Sequence, residues 1–202
     1  LVSRASPQAY FEESLSTKKR KELRRQQRRL EEEGEIAVER FDNGDGLTHW
    51  IDDFLDLEKR GWKGETGSAL ASDPRTERMF TCALEGAARR GRLQRFSLTL
   101  NGKRIAMLFN FITSPGAFSY KTTFDEDYSR FSPGVLLQRE NLALLDDDSI
   151  AWADSCAAQD HAMIDHFWRE RREIGRINIA IGGKLRRAGF AQIARLERGE
   201  RL

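Results

Sequence analysis

Four prolines, three histidines and two cysteines in 202 residues leave several chemistries without material. Cys82 and Cys156 lie far apart in separate predicted elements, so the chain offers neither a disulfide framework nor a paired-cysteine metal site, and a reducing compartment is expected. His161 and His166 stand five positions apart, which does not put two imidazoles on one helical face, so no metal is expected. No apolar run approaches the roughly 18 residues of a membrane span, and no signal-peptide pattern is visible. A cytoplasmic location follows as the expectation. Internal repeats are also missing.

Acidic residues are scarce in one place. Between Lys18 and Arg29 there are eight basic side chains and one acidic, a sum of +7 in a chain of net charge +2, so the remainder carries 2 − 7 = −5. A basic element therefore sits on a mildly acidic body. No aromatic residue interleaves with those charges, which argues against base stacking, and the thin apolar stripe of Leu15, Leu23 and Leu30 argues against membrane insertion. Apolar residues make up 39% and charged residues 33%, with twelve Phe and four Trp, a composition suited to a globular body with a polar surface. The length fits one domain with an appendage, or two small domains.

Hydrophobic period and turn residues give the element order. Lys18 to Glu33 reads as a helix capped by Ser16 or Thr17 and ended by Gly34. Glu35 to Phe41 alternates as a strand, and Leu47 to Leu57 has a helical period. A glycine-punctuated loop, Gly61 to Gly67, holds Trp62 and Lys63; a second helix runs from Thr76 to Arg90. Leu93 to Leu100 and Lys103 to Ile112 flank Asn101-Gly102, a two-residue hairpin signal. Ala117 to Phe124 is a third strand of that series, followed by a helix over Pro133 to Leu145, a short strand over Ile150 to Asp154, a short helix near Met163 to Trp168 and a strand over Glu173 to Ile181. The tail after Gly183 has a weak helical period. The expected fold class is α/β (α+β): a mixed, mainly antiparallel sheet flanked by helices and preceded by a basic helix. The crossover through helix 133–145 is expected to be right-handed.

The stretch from Ala117 to Leu145 carries most of the chemistry. It reads as a strand, an acidic and aromatic turn, then Ser132-Pro133-Gly134 opening a helix. Proline suits the first helical position, Ser132 is a good N-cap, and Gly134 removes bulk where free N–H groups point outward. A helix start of this kind, at the carboxyl end of a strand, is a ready anion site.

The element order and four strings resemble the GNAT superfamily of acetyltransferases, and within it the CelD-type (cellulose-biosynthesis) branch, which is related to the Fem-type aminoacyl transferases. The strings are LSTKKRKELRRQQRRLEEEG from Leu15, GWKGETG from Gly61, the hairpin Leu98 to Phe111, and YKTTFDEDYSRFSPGVLL from Tyr120. The resemblance implies an acyl-coenzyme A donor such as acetyl-CoA. Its pantetheine arm would lie along Lys121, Thr122, Thr123 and Phe124, with its pyrophosphate on Ser132, Pro133, Gly134, Val135 and Leu136. Pro133 departs from the usual glycine-rich and basic phosphate loop by removing one N–H donor. The branch usually carries another lobe, so residues 1–34 would be an extension and helix linking to it, 35–182 the acyltransferase domain, and 183–202 a tail.

Transfer to an amine by direct attack needs a proton acceptor. Asp125, Glu126 and Tyr128 near the cofactor turn are candidates, and so is Asp154 at the end of the short strand. An ordinary solvated turn is the favoured explanation of the first three, and a cap explains Asp154 equally well. Trp62 and Lys63 would border a small-molecule acceptor, an amine or hydroxyl, unless they merely pack the loop. A homodimer is a further expectation. The alternatives are a Fem-like transferase whose donor is aminoacyl-tRNA, with the basic helix meeting RNA phosphates, and a non-catalytic lobe of the same fold.

Overall fold

The structure, a computed structural model, describes Leu1 and residues 5–158, 160–161, 163–171, 173, 175 and 177–199. These fall into two compact units, Leu1–Glu170 and Arg171–Leu202.

The first unit opens with α1 (Pro7–Ser14) and α2 (Thr17–Glu33). Each is capped by a serine: the hydroxyls of Ser6 and Ser16 accept the N–H groups of Ala9 and Lys19 at 3.3 Å. Strand β1 (Ile36–Phe41) follows, then α3 (Leu47–Arg60), a single helical turn α4 (Trp62–Glu65) and α5 (Pro74–Ala88), the last capped by Asp73. Strands β2 (Leu93–Leu100), β3 (Lys103–Thr113) and β4 (Gly116–Phe124) run antiparallel. Asn101 and Gly102 both have positive φ, +49° and +78°, as a tight hairpin turn requires. A 3₁₀ turn over Glu126–Phe131 leads into α6 (Pro133–Asn141), and the chain then returns to β5 (Trp152–Asp154) and a short α7 (Ile164–Phe167). The sheet order is β1-β2-β3-β4-β5, with β5 parallel to β4. The mixed, mainly antiparallel sheet flanked by helices is the class expected from the sequence.

Helices cover both faces. On one, α3 and α5 bury Trp50, Phe54 and Phe80 against Phe109 of β3; the Phe54 ring centroid lies 5.2 Å from that of Phe80 and 5.6 Å from that of Phe109. On the other, Leu30 of α2 and Leu136 and Leu137 of α6 pack on Phe96, Leu98 and Leu108. Burying both faces accounts for the almost unbroken apolar run of β3. A third cluster joins α1, α7 and β5 through Tyr10, Phe11, Phe167, Ala117 and Ala153. The basic helix α2 is thus docked: Gln26 donates to the Arg130 carbonyl, Arg130 pairs with Glu33, and Arg139 donates to Gln27.

Three expectations are corrected. The helix drawn over 133–145 stops at Asn141 and tightens to a 3₁₀ turn through Asp146. Ser132 occupies the N-cap position of α6 but makes no capping hydrogen bond, because its backbone is left-handed at φ +53°. The described residues of 173–181 carry no strand; among the described residues their unit otherwise contains only α8 (Lys184–Glu197), which offers no ladder partner. Three elements were unforeseen: α1, the helical turn inside the 61–67 loop, and a 3₁₀ turn over Leu70–Ser72.

Candidate functional site

Strand β4 carries a bulge. Asn110 of β3 pairs with Ser119 and Phe109 pairs with Lys121, so Tyr120 is an extra residue without a partner opposite. The extra residue resets which side chains face which helix. Tyr120 leans on Phe109 and Phe111, and Lys121 reaches Glu58 of α3, whereas Ser119 and Thr122 meet α6.

The α6 side is held by neutral groups. Asn110 Nδ2 donates to Gln94 Oε1 at 2.9 Å and to Asn141 Oδ1 at 2.7 Å. Asn141 Nδ2 in turn donates to Ser119 Oγ at 3.1 Å, and Gln138 Nε2 to Thr122 Oγ1 at 2.9 Å. Asn141 over Ser119 and Gln138 over Thr122 make α6 run opposite to β4, which brings the start of α6 to the carboxyl end of the strand. Gly134 is what permits the approach: a Cβ there would stand 3.3 Å from Phe124 Cδ1 and 3.8 Å from both Thr122 Cγ2 and Met163 Sδ.

Beside this helix start the edge of β4 has no strand partner among the described residues. Its pairing with β5 ends at Phe118 and Asp154. There the Asp154 carboxylate accepts the Cys156 N–H at 2.8 Å, and the chain turns away. Asp125 N–H donates to the Ile105 carbonyl at 2.8 Å. Bonding residues alternate along an antiparallel pair, so Thr122 and Phe124 direct their N–H and C=O groups away from β3. At the helix start, the N–H groups of Val135 and Leu136 both go to the Ser132 carbonyl, Ser132 N–H goes to Ser129, and Pro133 has none. That leaves the Gly134 N–H and the Ser132 hydroxyl as donors. The features placed together are therefore two residues of strand edge, with the Thr122 carbonyl already met by Lys63, and two donors at the positive end of a helix dipole, the Gly134 N–H on a buried residue and the Ser132 hydroxyl on a half-buried one.

The proton-transfer candidates are scattered. Asp125 is buried and held by Lys103 Nζ at 2.9 Å and Arg60 at 3.8 Å, and it accepts the Asp127 N–H as the cap of the 3₁₀ turn. Burial pushes its pKa up, but the Lys103 and Asp127 bonds outweigh that and hold it below the ordinary value. Tyr128 packs with Phe131 in the α2–α6 core, on the other face of the sheet from Lys121. Asp154 stands level with Phe118, roughly 20 Å along β4 from Phe124 at about 3.3 Å per residue. Glu126 alone of the four is an exposed carboxylate beside the α3–α4 junction, its Cγ near Gly61.

Of the expected acceptor residues, Lys63 reaches β4, while Trp62 is exposed with its ring centroid 5.8 Å from Lys63 Nζ. Lys63 Nζ donates to the Thr122 carbonyl at 3.4 Å and lies 3.4 Å from Glu58 Oε1. Lys121 Nζ lies 2.7 Å from the same oxygen, and Glu58 Oε2 accepts the Leu70 N–H at 2.8 Å. Burial pulls the Lys63 pKa below its ordinary value, Glu58 countering it only in part and Lys121 adding to it. Glu58 was not anticipated, although its position was a signal. It follows Phe54 by four residues and Ile51 by seven, which puts a carboxylate on the apolar face of α3.

Among the described residues no group of three or more His, Cys, Asp or Glu could hold a metal, and no helix is long and apolar enough to cross a membrane. A comparison with curated proteins finds no match in sequence. Among solved structures, the aminoglycoside acetyltransferase meta-AAC0020 from an uncultured soil metagenomic sample, in complex with sisomicin, aligns over 73% of this chain and 97% of its own. The TM-score is 0.52 and the identity 14%. The aminoglycoside 6'-N-acetyltransferase AAC(6')-IG of Acinetobacter haemolyticus aligns over 72% and 99%, with a TM-score of 0.51 and 17% identity. At such identities the likeness is one of fold. The sequence family described as "Acetyltransferase (GNAT) domain" matches residues 17–173. A five-stranded sheet that parts after Phe118, with a helix start beside the edge of β4, is thus the scaffold of an acyltransferase, and the chain belongs to the GNAT acetyltransferase family.

Proposed function

We propose that the domain transfers an acetyl or related acyl group from acyl-coenzyme A to an amine or hydroxyl acceptor, and that it belongs to the CelD-type branch whose strings it carries. The observation that supports this most is the edge of β4 at Thr122 and Phe124, which lies beyond the last residue paired with β5 and ends beside Gly134. The Thr122 N–H and the backbone groups of Phe124 hold the amides of the donor arm, the Thr122 carbonyl being met by Lys63, and Gly134 N–H with the Ser132 hydroxyl faces its phosphates. The bound donor supplies a thioester carbonyl, at which the new C–N bond forms as the C–S bond breaks. Glu126 takes the acceptor's proton, because its carboxylate is exposed on the acceptor side while Asp125 is committed to Lys103 and Arg60. Trp62 and Lys63 border the acceptor.

Calorimetry with acetyl-CoA tests the donor. Saturable heat is expected, and Gly134→Val should weaken it about tenfold by filling the gap to Phe124, the loss expected for roughly 1.4 kcal/mol. Absence of heat at millimolar acetyl-CoA overturns the reading.

One observation supports aminoacyl-tRNA as a second donor. On α2, Leu23 and Leu30 are buried, while Lys18, Lys19, Lys21, Arg24, Arg28 and Arg29 are exposed. Cations in the first turn oppose the helix dipole, so the arrangement is not one that stability favours. Under this reading tRNA binds with a steep salt dependence, and Lys21→Glu with Arg28→Glu flattens it. Binding unchanged by that double substitution removes the role of α2.

A further inference from the structure

The Glu58 cluster is built in a way that packing alone does not require. Glu58 is fully buried at the end of α3 and holds three segments at once: the loop at Leu70, helical turn α4 through Lys63, and the bulge of β4 through Lys121. One carboxylate balances one ammonium, and here two share it. Lys121 has the close contact at 2.7 Å. Lys63 is left with two long ones, both 3.4 Å, and a side chain 23% exposed. At those distances its N–H groups are weakly used. Trp62 and Tyr120, each the residue before one of these lysines, are large aromatics 55% and 44% exposed. Lys63 Nζ sits 5.8 Å from the Trp62 ring centroid. Exposed aromatics beside a half-buried, under-satisfied ammonium make a surface that an apolar ring and an oxyanion would complete together.

We propose that Lys63 and Lys121, held by Glu58, form an oxyanion subsite for the acceptor, so that the acceptor is a molecule carrying a carboxylate or phosphate group next to a ring or other flat apolar part. This rests on the acceptor reading of the 61–67 loop given above. Lys63 supplies the strong bond, since both of its present contacts are long. Lys121 adds charge and stays on Glu58. Trp62 and Tyr120 take the flat part. Glu126 acts on Lys63 through space only and is turned to solvent, which leaves it free to meet the acceptor's amine instead of the oxyanion. The depressed Lys63 pKa agrees with an ammonium whose compensating charge arrives with a ligand.

The test needs neither donor nor turnover. The probes are 4-hydroxyphenylacetate and its uncharged amide, 4-hydroxyphenylacetamide, titrated against the whole chain by tryptophan fluorescence, with Trp62→Phe identifying the responding residue. The acid is expected to bind about tenfold more tightly than the amide, the scale of one hydrogen bond to a charged group. Lys63→Met should remove that preference while circular dichroism shows an unchanged fold, and Lys121→Met should reduce it. Inorganic phosphate as competitor separates the sources: displacement of the acid at millimolar concentration identifies a phosphate-type site, and its failure to compete identifies a carboxylate-type site, each in keeping with the proposal. Equal binding of acid and amide, or a preference that survives in both lysine variants, overturns it. Because the probes carry no thioester, failure of acetyl-CoA to bind would leave this result standing, and the two failures are read separately.

Discussion

The two flanks of β4 solve opposite problems with polar side chains. On the α6 flank, Gln94, Asn110, Ser119, Thr122, Gln138 and Asn141 form a chain of neutral hydrogen bonds between 2.7 and 3.3 Å, and one acceptor, Asn110 Oδ1, is left over. On the α3 flank, Glu58, Lys63 and Lys121 carry one positive charge more than negative, which the exposed Glu126 offsets only through space. Buried neutral networks, nearly satisfied, fix one packing. A charged cluster short of one counter-charge is stable only in part and gains from a ligand. The difference assigns the jobs: one flank sets where the α6 start lies against the strand end, and the other meets what arrives from solvent.

Asn141→Leu breaks the comparison most directly. It leaves Asn110 Nδ2, Ser119 Oγ and Gln138 Oε1 each short of a partner in a buried site, so a loss of about 3 kcal/mol is expected by denaturant titration. Acetyl-CoA affinity should fall with it, since α6 loses its register on β4, whereas the acid-over-amide preference of the α3 flank should survive. A loss under about 0.5 kcal/mol would show that the amide chain does not hold α6 in place, and the division of labour would fail.

What could be seen beforehand follows the same physical line. The Asn101-Gly102 hairpin, the helical period of α3 and the α6 start are local, each written within a dozen residues. The Ser132 cap failed because a preceding 3₁₀ turn, itself capped by Asp125, delivers the chain into α6 in a left-handed conformation. Helix α1 is eight residues long with little amphipathic contrast, and it is held by tertiary burial of Tyr10 and Phe11. Ile177, Ile179 and Ile181 do alternate, but alternation makes a strand only where a ladder partner exists. Asn110 sits in the middle of an apolar run, and its partners come from β2 and α6. The Glu58 cluster was the least legible part: Lys63 was visible as a loop residue and Lys121 as a strand residue, and only the bulge at Tyr120 turns Lys121 toward α3.

The smallest effect is the sharpest on the charged flank. Lys63 has a folded pKa below its ordinary value of 10.5, chiefly through burial. Between the folded and unfolded pKa values the unfolded chain therefore binds more protons at this site, so stability rises with pH through that window. Below it, at neutral pH, the folded state carries an ammonium it disfavours. Lys63→Met removes that penalty and keeps most of the apolar stem. The variant is expected to have a Tm at pH 7 equal to or slightly above that of the parent chain, and the difference should shrink as pH approaches 10.5. Asn141→Leu, by contrast, should lower Tm by the same amount at both pH values, because none of its partners titrates there. A Lys63→Met variant clearly less stable at pH 7 would mean that Glu58 needs both lysines for the fold. The surplus charge would then be structural, and the contrast between the flanks would be one of chemistry without one of purpose.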